Sequence, residues 1–520
     1  MKKKSVPLLL SVMMISTLML AACSSDGGKT TNTGSTGTEG NKPAASEGTK
    51  EEASENEAPA EITIMLPLNI AETPPDTIKN ELEKLTNTKL TYNFFPADTY
   101  EEKLNASFAT GSLPQVTYLK NQATFLNLKE AIRDGEFWEI GPYLSEYENL
   151  SKLKEQVLNN TKVDGKLYTL YIGRPLARQG VIYRKDWADK LGLPEPKTTE
   201  ELFEMMKQFT ENDPDGDGQK NTVGLADRND LVYGAFKTLS SYFQTPNNWG
   251  EKDGQLLPEF MFDEYVQTMD YVKKIREAGY MNQDFAATSK TDQINLFTSG
   301  KAGVYIGSMQ DVSTLDKDLT KNVPTAVTDV NSLITGPSGK YGIWALPGYN
   351  NVVVFPKSAI KDEAELKKVL AFFDKQMTPE ASNLMFWGIE GTHYEVIDGK
   401  AKEMDDKDKI EREVKGFKDS VIGEVETNGR YDGYYSLPSR IKAEELIITN
   451  EQHAIHDPTA PLDSATYTEK GLQLQDIITD ATYKYIYGQI DKAGFDQAIE
   501  TWKSRGGSQI IEEFNAAYKK

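Results

Sequence analysis

One segment of the chain gathers the groups that hold a hard cation. Asp213, Asp215, Asp217, Gly218 and Asn221 stand at positions 1, 3, 5, 6 and 9 of a loop of the EF-hand type. Carboxylates at alternate positions can wrap a Ca²⁺ ion, which takes oxygen ligands. The glycine permits the sharp turn, and Gln219 would add its backbone carbonyl. Position 12, ordinarily a bidentate glutamate, is Gly224. The competing reading is a solvated Asp/Gly/Pro turn between a helix and a strand. The spacing of Gly216 and Gly218 mimics a phosphate loop, but the segment is too acidic to hold phosphate.

Catalytic chemistry has less support. There is no Gly-x-Ser-x-Gly elbow and no His-Glu-x-x-His motif. His393, His453 and His456 are the only histidines. His453 and His456 would put two ring nitrogens on one helical face, yet no third ligand is evident, and a solvent-facing pair before Pro458 is expected. Gly300-Lys301-Ala302 lacks the hydroxyl residue and upstream glycine of a nucleotide loop. With 79 acidic residues, carboxylate pairs of the kind a glycosidase needs carry no information until geometry is known.

Cys23 is the only cysteine in 520 residues, and it follows Leu20-Ala21-Ala22. Lys2, Lys3 and Lys4 precede an apolar run, Val6 to Leu20, that Ser11, Ser16 and Thr17 interrupt. That run is too short for a permanent membrane span, and small residues before a lone cysteine form a lipoprotein signal. Residues 1–22 are read as the leader, Cys23 as the lipidation site, and 23–60 as the lipidated cysteine and a disordered tether. The tether is almost devoid of apolar side chains and has a reach of roughly 30–37 Å. The expected location is the outer face of the cell membrane, reached through the lipid anchor only. A net charge of −21 excludes nucleic acid as a partner, because there is no basic excess to exchange for counterions.

The remaining length, about 460 residues, is more than one hydrophobic core usually fills, so two lobes are expected. Residues 61–66, 90–95 and 115–119 read as strands, and they alternate with helices over 77–85 and 100–109. Ile78, Leu82 and Leu85 are expected on one side of the first helix. The pattern predicts a parallel α/β sheet with any cleft beyond the carboxyl ends of its strands. Further helices are expected over 185–191, 199–209, 263–278, 363–375, 467–488 and 494–518, with Thr198 or Thr199 capping the second of these.

Several stretches together resemble the extracellular solute-binding lipoproteins of ABC importers, in the carbohydrate-handling family 1. Within it the chain is similar to the Gram-positive lipoproteins and to alginate-oligosaccharide-binding proteins. They are Phe108-Ala-Thr-Gly-Ser-Leu-Pro-Gln-Val116, Tyr183-Arg-Lys-Asp-Trp187 continuing to Leu193, the acidic loop to Thr222, and Leu296-Phe-Thr-Ser-Gly-Lys301. Gly388-Ile-Glu-Gly-Thr-His-Tyr394 and the segment from Trp502 to Tyr518 complete the set. Gln115 departs from the aspartate usual at its position. The resemblance implies an α/β fold of two discontinuous lobes around a hinge cleft, with lobe one at 61–172 plus 345–420 and lobe two at 173–344 plus 421–520. It implies a monomer that binds an oligosaccharide and delivers it to ABC permease subunits, with no catalysis. The alternatives are a surface-anchored polysaccharide-degrading enzyme, or a binding protein for a peptide or other non-sugar ligand. By the same resemblance a loop of this kind closes at position 10 with an acidic residue. Thr222 stands there, so a structural Ca²⁺ would be held by Asp213, Asp215, Asp217, Gln219, Asn221 and Thr222.

For a sugar ligand, aromatic rings stack on C–H faces and planar polar groups fork onto hydroxyl pairs. The loop aromatics Trp249, Trp344, Trp387, Tyr431 and Tyr434 are the first candidates. Tyr171 and Arg174 join them at a lobe crossing, and Tyr118, Asp98 and Tyr305 at predicted strand ends. Trp187 and Trp502, inside helical patterns, are expected in the core. Overall acidity argues against a polyanionic ligand, but Arg174, Arg178 and Arg184 cluster near a crossing and leave an acidic oligosaccharide open.

Overall fold

Alternating and continuous apolar runs fold into two large sheets, beside three two-stranded pairings, in the computed structural model, which describes residues 58–519. The predicted leader, Cys23 and all but the last three residues of the predicted tether lie outside the described residues. Nine strands build the two large sheets: β1 (Ala60–Leu68), β2 (Thr88–Pro96), β3 (Val116–Leu119), β4 (Thr169–Gly173), β5 (Gln179–Arg184), β6 (Val223–Ala226), β7 (Ala302–Ser308), β8 (Thr328–Asn331) and β9 (Tyr349–Val354).

The first sheet has the order β2-β1-β3-β9-β4; β1 is parallel to β2 and β3, and β9 runs antiparallel to β3 and β4. From Ile64 onward β1 is buried on both faces, as a strand covered by helices on either side must be. Helix Thr77–Thr86 lays Ile78 and Leu82 on that sheet. Leu85, expected on the same side, is 46 % exposed, and Thr86 takes the buried position instead. The Thr86 hydroxyl donates to the Leu82 carbonyl, so the last turn closes inward through a hydroxyl.

The second sheet has the order β8-β5-β7-β6; only β6 and β7 are parallel. Its two faces carry different cores. Val181, Val304 and Ile306 pack with Trp187, Phe209 and the carboxyl-terminal helices, while Ile182 and Tyr305 pack on the other face with Phe297, Leu315 and helix Pro438–Glu451. Trp187 and Trp502 are buried here. Helix Thr199–Glu211 begins at Thr198, whose side chain accepts from the Glu201 N–H. The continuous helix expected over 494–518 is divided into Lys492–Trp502 and Ser508–Tyr518 by a wider turn at Lys503–Gly507, where Gly506 leaves the helical region with φ 139°.

The first core draws on residues 62–176 and 349–422, and the second on 177–344 and 474–514. The chain passes between them three times among the described residues. β4 leads to β5 through Arg174–Arg178, Trp344 leads to β9 through Ala345–Gly348, and Gly423 leads on to helix Pro438–Glu451. The crossings are hydrogen-bonded to one another. The Arg174 N–H donates to the Gly348 carbonyl at 2.9 Å, the Leu346 N–H to Leu176 at 2.6 Å, and the Gly173 N–H to Gly423 at 3.2 Å. Lys154 adds an ionic tie, its Nζ 2.9 Å from Glu451 and 3.7 Å from Glu424. His453 and His456 flank a two-residue strand, Ala454–Ile455, paired with Ile343–Trp344, rather than lying on a helix, which ends at Glu451. No helix of the described residues is long and apolar enough to cross a membrane.

Candidate functional site

β6 and β7 are parallel, so their carboxyl ends meet at one edge of the second sheet. β5, antiparallel to β7, starts at that edge. Ligands of α/β folds bind beyond such strand ends. A cavity of about 340 Å³ opens there, at the small end of the roughly 300–1,000 Å³ typical of ligand sites. Its wall includes Arg178 from the first crossing, Arg228 and Tyr233 from the loop after β6, Lys290, Tyr305 and Ser308 from β7, and Asp311 just after it.

The loop after β6 is rigid because its polar groups are spent internally. The Asp227 N–H donates to Asn282 Oδ1 at 2.8 Å, and Asp227 Oδ1 accepts from the Ala235 N–H at 2.9 Å. Burial pushes the Asp227 carboxyl up to about 6, against that hydrogen bond and the charge of Arg228. Arg228 is 6 % exposed and donates to Gln293 Oε1, Asp230 Oδ2 and the Tyr233 carbonyl. Asp230 Oδ1 in turn accepts the N–H groups of Val232 and Tyr233. The exposed Tyr233 ring therefore stands on a fixed backbone, edge-on to Trp344 at 5.9 Å.

Two polar atoms of the cavity wall have no such partner. Arg178 Nε and Ser308 Oγ are buried and bond to nothing among the described residues. An unmet donor costs roughly 1–3 kcal/mol, so a wall that keeps two suits a ligand that satisfies them.

Of the residues singled out in the sequence, Tyr305 lies in the cavity wall. Arg174 retains solvent contact, and desolvation and the adjacent Arg178 charge lower its pKa, while Asp419 and Tyr233 act in the opposite direction. It thus lies within electrostatic reach of the cavity and of the first core's 419–423 segment. Trp344 stands behind Tyr233 and donates its Nε1–H to Thr238 Oγ1 at 3.2 Å. Trp249 is buried edge-on against Phe514 at 4.9 Å. Trp387 donates to the Tyr431 carbonyl at 2.9 Å, with Lys418 Nζ 5.1 Å from its ring. Tyr434 is held through its own N–H by the Ala401 carbonyl. Tyr118 and Tyr171 are fully buried. The Tyr118 hydroxyl donates to the Ser420 carbonyl, and Tyr171 donates to Glu424 Oε1 while accepting from the Lys154 N–H. Asp98 is exposed beyond the end of β2. Arg228, Tyr233, Lys290 and Ser308 were not singled out as binding residues. The usable signal was position alone, just after or near strands 223–226 and 302–308.

The acidic loop gathers the Asp213, Asp215 and Asp217 carboxylates within 4.8 Å of one another. Asp213 accepts the N–H groups of Gly216, Asp217 and Gly218, which winds the loop, and Gly218 takes φ 79°. The Asn221 amide donates to Asp217 Oδ2 at 2.9 Å, the Gln219 N–H donates to Asp217 Oδ1 at 2.8 Å, and the Thr222 hydroxyl donates to the Phe209 carbonyl at 2.8 Å. Lys301 Nζ stands 3.8 Å from Asp215 and 3.9 Å from Asp217. Position 12 is glycine for a packing reason: a Cβ on Gly224 would lie 2.4 Å from the Met206 carbonyl oxygen. The three carboxylates and the turn fit Ca²⁺, but the loop cannot add the usual closing glutamate.

Comparison with known proteins gives a consistent picture. Residues 70–382 match the family model described as bacterial extracellular solute-binding protein. The polygalacturonan/rhamnogalacturonan-binding protein YtcQ of Bacillus subtilis is 44 % identical over 449 residues, 86 % of this chain and 89 % of that one. Lipoprotein LipO of the same organism is 32 % identical over 475 residues, 88 % and 92 % of the two chains. A solved solute-binding protein associated with an HMO-binding ABC transporter of Bifidobacterium longum infantis superposes with a TM-score of 0.69 at 18 % identity, covering 89 % of this chain and 99 % of that one.

Proposed function

The chain belongs to the bacterial extracellular solute-binding proteins, with their two-lobe α/β fold, and from that premise we propose that it captures an oligosaccharide for an ABC importer. The observation that carries the reading is the cavity beside the first crossing, whose wall keeps Arg178 Nε and Ser308 Oγ unsatisfied. Its neighbourhood joins a fixed exposed ring, Tyr233, to charged and hydroxyl groups, which is the chemistry a sugar needs. The 44 % identity to a polygalacturonan/rhamnogalacturonan-binding protein supports a ligand of that type.

In this reading the lobes are residues 61–172 with 345–420 and residues 173–344 with 421–520; Val421 and Ile422 pack with the first core just past that boundary. The crossings hinge them around the ligand. Tyr305 and Arg174 contribute to the binding wall together with Arg178, Arg228, Tyr233 and Ser308. Trp344 supports it from behind. A lipid on Cys23 holds the monomer at the outer membrane face beside its permease, and likeness to a lipoprotein supports this. Ca²⁺ on Asp213, Asp215 and Asp217 would brace the helix–strand junction, far from any chemical role. The protein binds without turnover.

Titration calorimetry of the secreted chain against galacturonan, rhamnogalacturonan, fructan and glucan oligomers tests the proposal, with chromatography of each ligand afterwards. Saturable binding of an oligosaccharide that is recovered intact is expected. Cleavage of the ligand, or no binding across the panel, would overturn it.

A further inference from the structure

The cavity is cationic in a chain that is not. Against a net charge of −21, its wall carries Arg178, Arg228 and Lys290 with only Asp230 and Asp311 as carboxylates. Arg228 is already committed to Asp230 at 3.4 Å and to Gln293. Arg178 and Lys290 form no ion pair among the described residues. Arg178 is moreover close enough to Arg174 for the two like charges to interact, and its Nε is buried without an acceptor. Like charges near one another beside a cavity are an unfavourable arrangement that an incoming anion relieves.

We propose that this cavity is a carboxylate subsite, in which Arg178, with Lys290 and the Ser308 hydroxyl, holds the carboxylate of one acidic sugar unit of the oligosaccharide. Arg178 Nε and Ser308 Oγ–H supply two donors to the carboxylate oxygens, and Lys290 supplies charge from the amino end of helix Lys290–Thr298. Tyr233 offers its ring to the sugar's face, and Asp311 is left to accept a sugar hydroxyl. Arg228, buried and fixed, keeps the local potential positive while it positions Tyr233 through that residue's carbonyl. The assignment rests on the oligosaccharide reading above and adds what discriminates among such ligands: a free carboxylate against its ester.

The test compares trigalacturonate with its fully methyl-esterified form by calorimetry on the secreted chain, for the wild type and for R178Q, K290Q and S308A. The wild type is expected to prefer the free acid by about tenfold or more, the value of a charge-assisted pair lost on esterification. K290Q and R178Q should shrink that preference toward parity, weakening binding of the acid more than binding of the ester. S308A should shrink it less. K290Q lies off the crossings, so an effect of Arg178 on hinge geometry is separable: a hinge defect would weaken both ligands equally and leave the ratio unchanged. Equal wild-type affinity for acid and ester overturns the carboxylate subsite and leaves the oligosaccharide reading intact. So does a preference that survives both R178Q and K290Q. A wild type that binds neither ligand overturns the subsite; failure across the wider sugar panel as well would overturn both.

Discussion

At the scale of single residues, the most consequential ionisable group is Glu424, at the third crossing. Its side chain is 12 % exposed and lies 3.7 Å from Lys154 Nζ; Oε1 accepts from Tyr171, and Oε2 has no partner among the described residues. Burial pushes its carboxyl from 4.5 up to about 7; Lys154 and Tyr171 pull it down, and Glu426 and Glu451 push it further up. A folded-state value above the unfolded one means that the fold favours the protonated acid. The contribution is therefore complete below about pH 4.5 and is lost as pH rises through 7, in total about 3 kcal/mol. E424Q keeps the shape without the charge, so it should flatten the fall in stability between pH 5 and 8, as urea titrations at each pH would register; an unchanged slope would exclude this role. Lys301 is the second such residue. It stands where it partly neutralises Asp215 and Asp217, and Asp215 needs neutralising: burial, the Asp213 hydrogen bond and the Asp217 charge all raise its pKa. Removing that resident cation in K301M should tighten Ca²⁺ binding severalfold and enlarge the rise in melting temperature that Ca²⁺ gives. Weaker Ca²⁺ binding in K301M would mean that the lysine organises the loop rather than competing for it.

At the scale of elements, strand β6 aims the binding loop, and one glycine sets its distance from helix Thr199–Glu211. A Cβ at position 224 would lie 2.4 Å from the Met206 carbonyl oxygen and 2.6 Å from its Cα, so helix and strand must part in G224A. A cost of about 1–3 kcal/mol is expected for such overpacking. Because β6 runs straight into Asp227–Tyr233, ligand affinity should fall with it; thermal melts and calorimetry on the variant check both, and a melt unchanged from wild type would contradict the packing argument. The same junction shows what the sequence makes legible. The period of apolar residues in 61–66 and 199–209 is local information, and strand and helix followed it. The role of Asp227-Arg228-Asn229-Asp230 was not legible, because locally it is a run of polar turn residues. Asp227 and Arg228 are buried by Asn282 and Gln293, 55 and 65 residues away, which accept their N–H groups. Loop tryptophans drew attention for the opposite reason. Trp249, Trp344 and Trp387, expected in loops, lie on two short strands and at a helix end, where Phe514, Thr238 and the Tyr431 carbonyl meet them from distant parts of the chain. Tyr305, expected at a strand end, lies inside β7 with its side chain buried, and it reaches the cavity wall from there.

At the scale of the whole molecule, two cores that share no strand are joined by three crossings whose backbone groups are paired with one another. Paired crossings resist twisting independently, which favours motion of the cores as two bodies about that bundle; a second tie lies away from it, where Asp463 meets Lys129 and Arg133 at 2.6 Å each. The Lys154–Glu451 contact at 2.9 Å is part of the same bundle. If the ligand is held as proposed, by Tyr305 and Ser308 from one sheet and by Arg174 near Asp419 from the crossing, it gains contacts only as the two bodies approach. Two consequences distinguish this from a ligand that sits on one wall alone. The radius of gyration of the secreted chain in solution scattering should fall when a bound oligosaccharide is added. Stability should rise by about 2.7 kcal/mol at a ligand concentration of 100 times Kd, a shift of a few degrees in a domain of this size. A single acidic monosaccharide, held by the cavity wall alone, would not draw the two bodies together. It should therefore raise the melting temperature in proportion to its own affinity and leave the scattering curve unchanged. If the oligosaccharide also left the scattering curve unchanged while stabilising the fold, the crossings would be a rigid spine rather than a hinge, and all of the specificity would reside in the wall built by β5, β6 and β7.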